Sequence, residues 1–135
     1  MKWTENLPVY GDMIRVQVKF YYHYGIFVNE NSVIQFGLPD NGDTPPEKIC
    51  VTETDIETFA CGGFIERAEV DCAEEKRKCR TPDEVVSLAK AELGKTGYHI
   101  LHNNCEHFVY QCMFGEKRSF LDDVRKIIRK KLKKE

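Results

Sequence analysis

The chain has 135 residues, a formal net charge of −2 and 41% hydrophobic residues, enough for one domain whose core needs no disulfide or metal staple. No run reaches the ~20 apolar residues of a membrane span, and Met1-Lys2-Trp3-Thr4-Glu5-Asn6 lacks the apolar stretch of a signal peptide, so a cytoplasmic protein is expected. Without a secretion signal the six cysteines read as reduced thiols, and no Cys-x-x-Cys pair offers a zinc site.

The extended start ends at Pro8, and Gly11-Asp12 turns into a first strand. From Met13 to Phe20 the apolar Ile14, Val16, Val18 and Phe20 alternate with Arg15, Gln17 and Lys19, the pattern of a half-buried strand. Tyr21 to Val28 is a second, more apolar strand and Ser32 to Gly37 a third, joined as an antiparallel hairpin through Asn29-Glu30-Asn31. Side chains alternate faces along a strand. A three-residue loop would set His23 opposite Gly37 and make His23 and Gln35 diagonal neighbours on one face. A two-residue loop would send them to opposite faces.

Leu38 to Pro46 is a loop by composition. Ile49-Cys50-Val51 and Phe64 to Val70 read as two more strands with Gly62-Gly63 between them, and residues 73–80 as a charged connector. Thr81-Pro82-Asp83-Glu84 starts a helix: Thr81 is the N-cap, Pro82 fits the first helical position and Glu84 closes a capping box. Val85, Val86, Leu88, Ala89 and Leu93 form its core-facing stripe, and Gly94 ends it.

Asn104 caps a second helix that opens with Cys105 and runs through Phe108-Val109-Tyr110-Gln111-Cys112-Met113-Phe114 to Gly115. Unpaired N–H groups and the positive dipole end favour a thiolate in that first turn. Composition alone favours Cys105 as a buried core cysteine, and His23 as a histidine without chemistry. Together they fit a thiol nucleophile with an imidazole base, Gln35 orienting the ring through its amide oxygen and the Cys105 N–H serving as an oxyanion donor. His107, two residues past Cys105 and about 200° round the helix, is expected to be a structural ring.

The last segment, capped by Ser119, reads as an amphipathic helix from Phe120 to about Lys134. Residues 116–135 carry nine basic against four acidic side chains, whereas residues 40–75 carry eleven acidic against two basic. The basic helix suits peripheral contact with an anionic membrane as well as simple closure of the domain. With no aromatic-interleaved basic patch and a negative overall charge, no nucleic-acid partner is expected.

The run Asn104-Cys105-Glu106-His107-Phe108-Val109 resembles the cysteine signature of the lecithin:retinol acyltransferase family, which includes small phospholipase A/acyltransferases. Gly11-Asp12, the Tyr22-His23-Tyr24-Gly25-Ile26-Phe27-Val28 block, the helix from Pro82 to Leu93, Phe114-Gly115 and Asp123-Val124-Arg125 extend the resemblance over roughly residues 9 to 128. It implies an α+β fold of the circularly permuted papain-like (NlpC-type) kind, a small antiparallel sheet with packed helices, over a single domain of residues 1–135 with its core at about 9–118. It also implies an acyl-thioester on Cys105 formed from a glycerophospholipid ester, His23 as general base, and no cofactor. The family's third residue, usually a second histidine, falls on Gln35, which can orient His23 but cannot titrate. Tyr21 and Asn104 are candidate oxyanion or supporting groups. A cysteine peptidase or amidase of the same fold, or a binding module with a decayed site, are the competing expectations.

Overall fold

The computed structural model describes residues 1–19, 21–40, 44–70, 73–99, 104–115 and 129. Its centre is a six-stranded antiparallel sheet in the order β1-β6-β2-β3-β4-β5. The strands are β1 (Lys2–Thr4), β2 (Met13–Val18), β3 (Tyr21–Asn29), β4 (Ser32–Phe36), β5 (Val51–Thr54) and β6 (Ile65–Glu69). Among the described residues four α-helices accompany them: α1 (Ile56–Ala60), α2 (Ala73–Lys78), α3 (Pro82–Ala91) and α4 (Cys105–Phe114).

Period-two alternation gives the sheet two apolar faces. On one, Ile14, Val16, Phe27 and Val33 pack around Phe59 of α1. On the other, Met13, Tyr24, Ile26, Ile34 and Phe36 meet Val85, Val86 and Ala89 of α3 and Cys105, Phe108, Val109 and Cys112 of α4. Phe59 is fully buried, and removing such a ring from water contributes roughly 2–3 kcal/mol.

The hairpin between β3 and β4 reaches the expected register by a different route. Its tip is the two-residue turn Glu30-Asn31, with Asn29 opposite Ser32, yet Phe27 pairs with Val33 and Ile26 with Ile34. The extra residue, Val28, is a β-bulge, and it shifts the ladder by one position. His23 and Gln35 therefore share a face despite the short turn. Turn length alone could not reveal this, because a bulge and a longer loop have the same effect on parity.

Other expectations are corrected. The extended start carries a paired strand, with Trp3 opposite Ala68. The segment after β5 holds α1, whose N-cap Asp55 accepts from the Thr58 N–H and whose end is Cys61 in the left-handed conformation. The charged connector contains the short helix α2. In α3 the capping box of Thr81 and Glu84 is present, but the helix ends at Ala91, and Leu88 and Leu93 are exposed rather than core-facing. Leu88 points about 100° round the helix from Ala89, off the buried stripe of Val85, Val86 and Ala89, and Leu93 lies beyond the helix end. The expected helix from Phe120 to Lys134 lies outside the described residues.

Candidate active site

Two strand segments and one helix end build the site. Among the described residues β3 and β4 pair from Ile26↔Ile34 to the tip. Ahead of that point β3 stays beside β2 down to Val18↔Tyr21, and β4 stays beside β5 to Phe36↔Val51. The two strands part where β3 carries His23 and β4 carries Gln35.

His23 and Gln35 are buried, at 2% and 0% exposure. His23 Nε2 lies 2.8 Å from Gln35 Oε1, and Gln35 Nε2 donates to Thr54 Oγ1 at 2.7 Å. Beneath the imidazole lies Phe59, ring centroids 5.4 Å apart. Burial pushes the His23 pKa down to about 4, against a smaller upward pull from the Gln35 hydrogen bond. Desolvation penalises the charged ring, so the imidazole is neutral at physiological pH with a free lone pair to accept a proton.

Cys105 is the first residue of α4, after the N-cap Asn104. Asn104 Oδ1 accepts from the N–H groups of Glu106 and His107 at 3.0 and 3.1 Å. In return His107 Nδ1 accepts from the Asn104 N–H at 3.1 Å. His107, 1% exposed, thus plays the part that Glu or Gln usually takes in a capping box. Gly115 in the left-handed conformation closes the other end, its N–H bonded to Gln111 O.

Burial pushes the Cys105 thiol up to about 11. The backbone N–H of Tyr24 opposes this by hydrogen bonding to the sulfur, as do those of Glu106 and Cys105, while the Glu106 carboxylate adds to the rise. The Tyr24 contact brings the sulfur to within one peptide unit of His23, at the parting of β3 and β4. His23 and Gln35 stand on the α1 face there, whereas Cys105 arrives from the α4 face. The Cys105 thiol, raised above its usual range, and the His23 imidazole, lowered below its own, are each neutral at physiological pH.

Two phenols surround the sulfur. Tyr21 is raised by burial and then by the charge of Cys105, and Tyr98 is pushed up to about 12 by the same two effects in the same order. The Tyr21 hydroxyl donates to Pro39 O at 3.2 Å, so in this conformation its proton is engaged with the loop after β4. Asn104 Oδ1 is occupied as a cap. Residues that sequence reasoning did not find are Thr54, Phe59 and Tyr98. Asp55 as a helix cap was the one available signal for α1, and hence for Phe59.

This arrangement coincides with a family match. The family model for lecithin retinol acyltransferase covers residues 6–118 of the chain, a span that includes His23, Gln35, Thr54 and Cys105. The chain belongs to the lecithin retinol acyltransferase family. Mouse lecithin retinol acyltransferase is 33% identical over 147 residues, 90% of this chain and 63% of that protein. The human enzyme of the same name is 32% identical over 144 residues, 88% of this chain and 62% of its own length. Human phospholipase A and acyltransferase 4 is 25% identical over 120 residues, 82% of this chain and 73% of that protein. The chain thus spans a little under two thirds of the lecithin retinol acyltransferases it matches. Among the described residues no helix is long and apolar enough to cross a membrane.

Proposed function

We propose that this family member is a thiol-dependent acyltransferase and phospholipase acting on glycerophospholipid acyl esters. The observation that carries the reading is the buried His23–Gln35 hydrogen bond on β3, next to the Tyr24 N–H that bonds the sulfur of Cys105 at the start of α4. The relatives named for acyl transfer and phospholipase activity support the choice of substrate class. The same elements, a cysteine opening a helix packed on an antiparallel sheet that supplies the histidine, support a circularly permuted papain-like arrangement.

In this mechanism the neutral His23 takes the thiol proton on Nδ1 as Sγ attacks the ester carbonyl carbon. Gln35 keeps its amide oxygen on the Nε2–H and stabilises the imidazolium as a dipole. Charge develops on the carbonyl oxygen near the start of α4, where backbone N–H groups are available as donors. Collapse breaks the carbon–oxygen ester bond, and the leaving alkoxide takes the proton back from His23. An alcohol, an amine or water then attacks the acyl-thioester with His23 again as base, which releases the acyl product and restores the thiol.

The test is intact mass spectrometry after exposure to phospholipid vesicles of several headgroup classes. An acyl adduct on the wild-type chain, absent from Cys105→Ser, is the expected outcome. Absence of both adduct and lysophospholipid across all lipids would sink the proposal.

A further inference from the structure

The His23–Gln35 contact leaves one matter to geometry: which way the Gln35 amide faces. A glutamine flipped by 180° would present its NH2 to His23 and demand the opposite imidazole tautomer. Sequence motifs are silent on this, because the choice depends on what holds the far side of the amide.

Thr54 holds it. Gln35 Nε2 sits 2.7 Å from Thr54 Oγ1, and the Thr54 hydroxyl donates its single proton to Asp55 O at 3.0 Å. A hydroxyl has one proton to give, so towards Gln35 it can only accept. The partner of an accepting hydroxyl must be the amide NH2, which turns Gln35 Oε1 to His23. His23 must then carry its proton on Nε2, and Nδ1 keeps the lone pair.

The end of this chain is fixed by α1. Asp55 is the N-cap of that helix, and its carbonyl also accepts the Phe59 N–H at 3.2 Å. The Ile56 N–H donates to Glu30 O at 3.0 Å, which ties the helix start to the hairpin tip. Phe59, from the same helix, packs on the His23 ring. One short helix thus supplies both the wall behind the imidazole and the carbonyl that orients the amide next to it.

We propose that Thr54 is a positioning residue that sets the tautomer of His23 through Gln35, so that Nδ1 is unprotonated. This rests on the reading of His23 as the base, and it gives the glutamine a defined polarity. With an ionisable partner, an imidazolium could be stabilised by charge. With an uncharged amide, the correct tautomer must come from hydrogen-bond direction, and Thr54 supplies that direction.

The experiment is nitrogen-15 NMR of histidine-labelled protein, in which the two ring nitrogens of each neutral imidazole report which one bears hydrogen. His23→Ala assigns its signals. Wild-type His23 is expected as the Nε2–H tautomer. Thr54→Val, which keeps the shape and loses the acceptor, is expected to populate the Nδ1–H form and to slow Cys105 alkylation about tenfold or more, because a histidine base in the wrong tautomer cannot take the proton. Thr54→Ser should restore both readouts. An Nδ1–H form in the wild type, or an unchanged Nε2–H form in Thr54→Val, overturns the proposal. The wild-type spectrum decides even if Thr54→Val does not fold. The tautomer is read without lipid, so a failure of acyl transfer is recorded separately from a failure of this relay.

Discussion

Asn104 and His107 cap α4 reciprocally: Asn104 Oδ1 accepts the His107 N–H at 3.1 Å, and His107 Nδ1 accepts the Asn104 N–H at the same distance. The pair flanks Cys105 and fixes the turn from which its sulfur projects. Each bond satisfies a donor that a helix start or its approach would otherwise leave unpaired.

Replacing Asn104 with Ala should therefore cost about 1 kcal/mol, the usual loss for a removed N-cap. Urea denaturation would show a lower midpoint with an unchanged slope. Asn104→Asp, which keeps the acceptor, should recover most of it. A midpoint unchanged in Asn104→Ala would mean that the cap contributes nothing to the stability of α4.

Gly25 faces the α1 side of β3, where a Cβ would lie 2.7 Å from Phe59 Cε1, 3.0 Å from Val33 Cγ1 and 3.3 Å from Ile34 O. Gly25→Ala should destabilise the fold by ~1–3 kcal/mol through overpacking. It should also displace Phe59 from the His23 ring and lower acyl transfer more than stability alone predicts. Thermal melting and activity measured on the same preparation would test both parts.

The His23 pKa gives a pH dependence of defined sign. Its folded value, about 4, lies below the ordinary 6.5 because of burial. Between these values the unfolded chain binds a proton that the folded chain does not, so stability falls as pH drops from 6.5 to 4 and levels off below. The contribution is on the order of 3 kcal/mol. Urea midpoints of the wild type at pH 7 and pH 4.5 should differ by more than those of His23→Gln. Equal differences would refute a buried neutral imidazole.

Cys105 supplies a complementary test. With its thiol pushed up to about 11 by burial, little thiolate exists at pH 7, and alkylation there must use a base. His23→Ala should lower the iodoacetamide rate at pH 7 about a hundredfold, the lower end of the usual range for general-base assistance. Near pH 11 the two rates should converge. Equal rates at pH 7 would favour a decayed binding site.

Much of the site was legible in the sequence because its signals are local. The N-cap Asn104, the terminating Gly115, the capping box of Thr81 and Glu84 and the alternation along β2 and β3 each concern residues within a turn or a strand of one another. Local hydrogen bonding and side-chain period fix such features before the chain folds. The motif around Cys105 likewise carried the family assignment.

Other features depended on contacts between distant segments. The bulge at Val28 arises where Phe27 must reach Val33 and Asn29 must reach Ser32, and only the packed sheet selects that compromise. Leu88 and Leu93 were assigned to the core on period alone, but Val85, Val86 and Ala89 already occupy the face that meets the sheet. The five-residue α1 was invisible because a helix so short gains its stability from burying Phe59, not from its own propensity. The sequence by itself therefore determined the helix that opens with Cys105, the hairpin and the place of His23 within it. Tertiary structure alone decided that His23 and Gln35 share a face, how Gln35 and Thr54 align behind His23, and how Tyr24 meets the sulfur, because hydrogen-bond direction across strands is set only when the sheet is assembled.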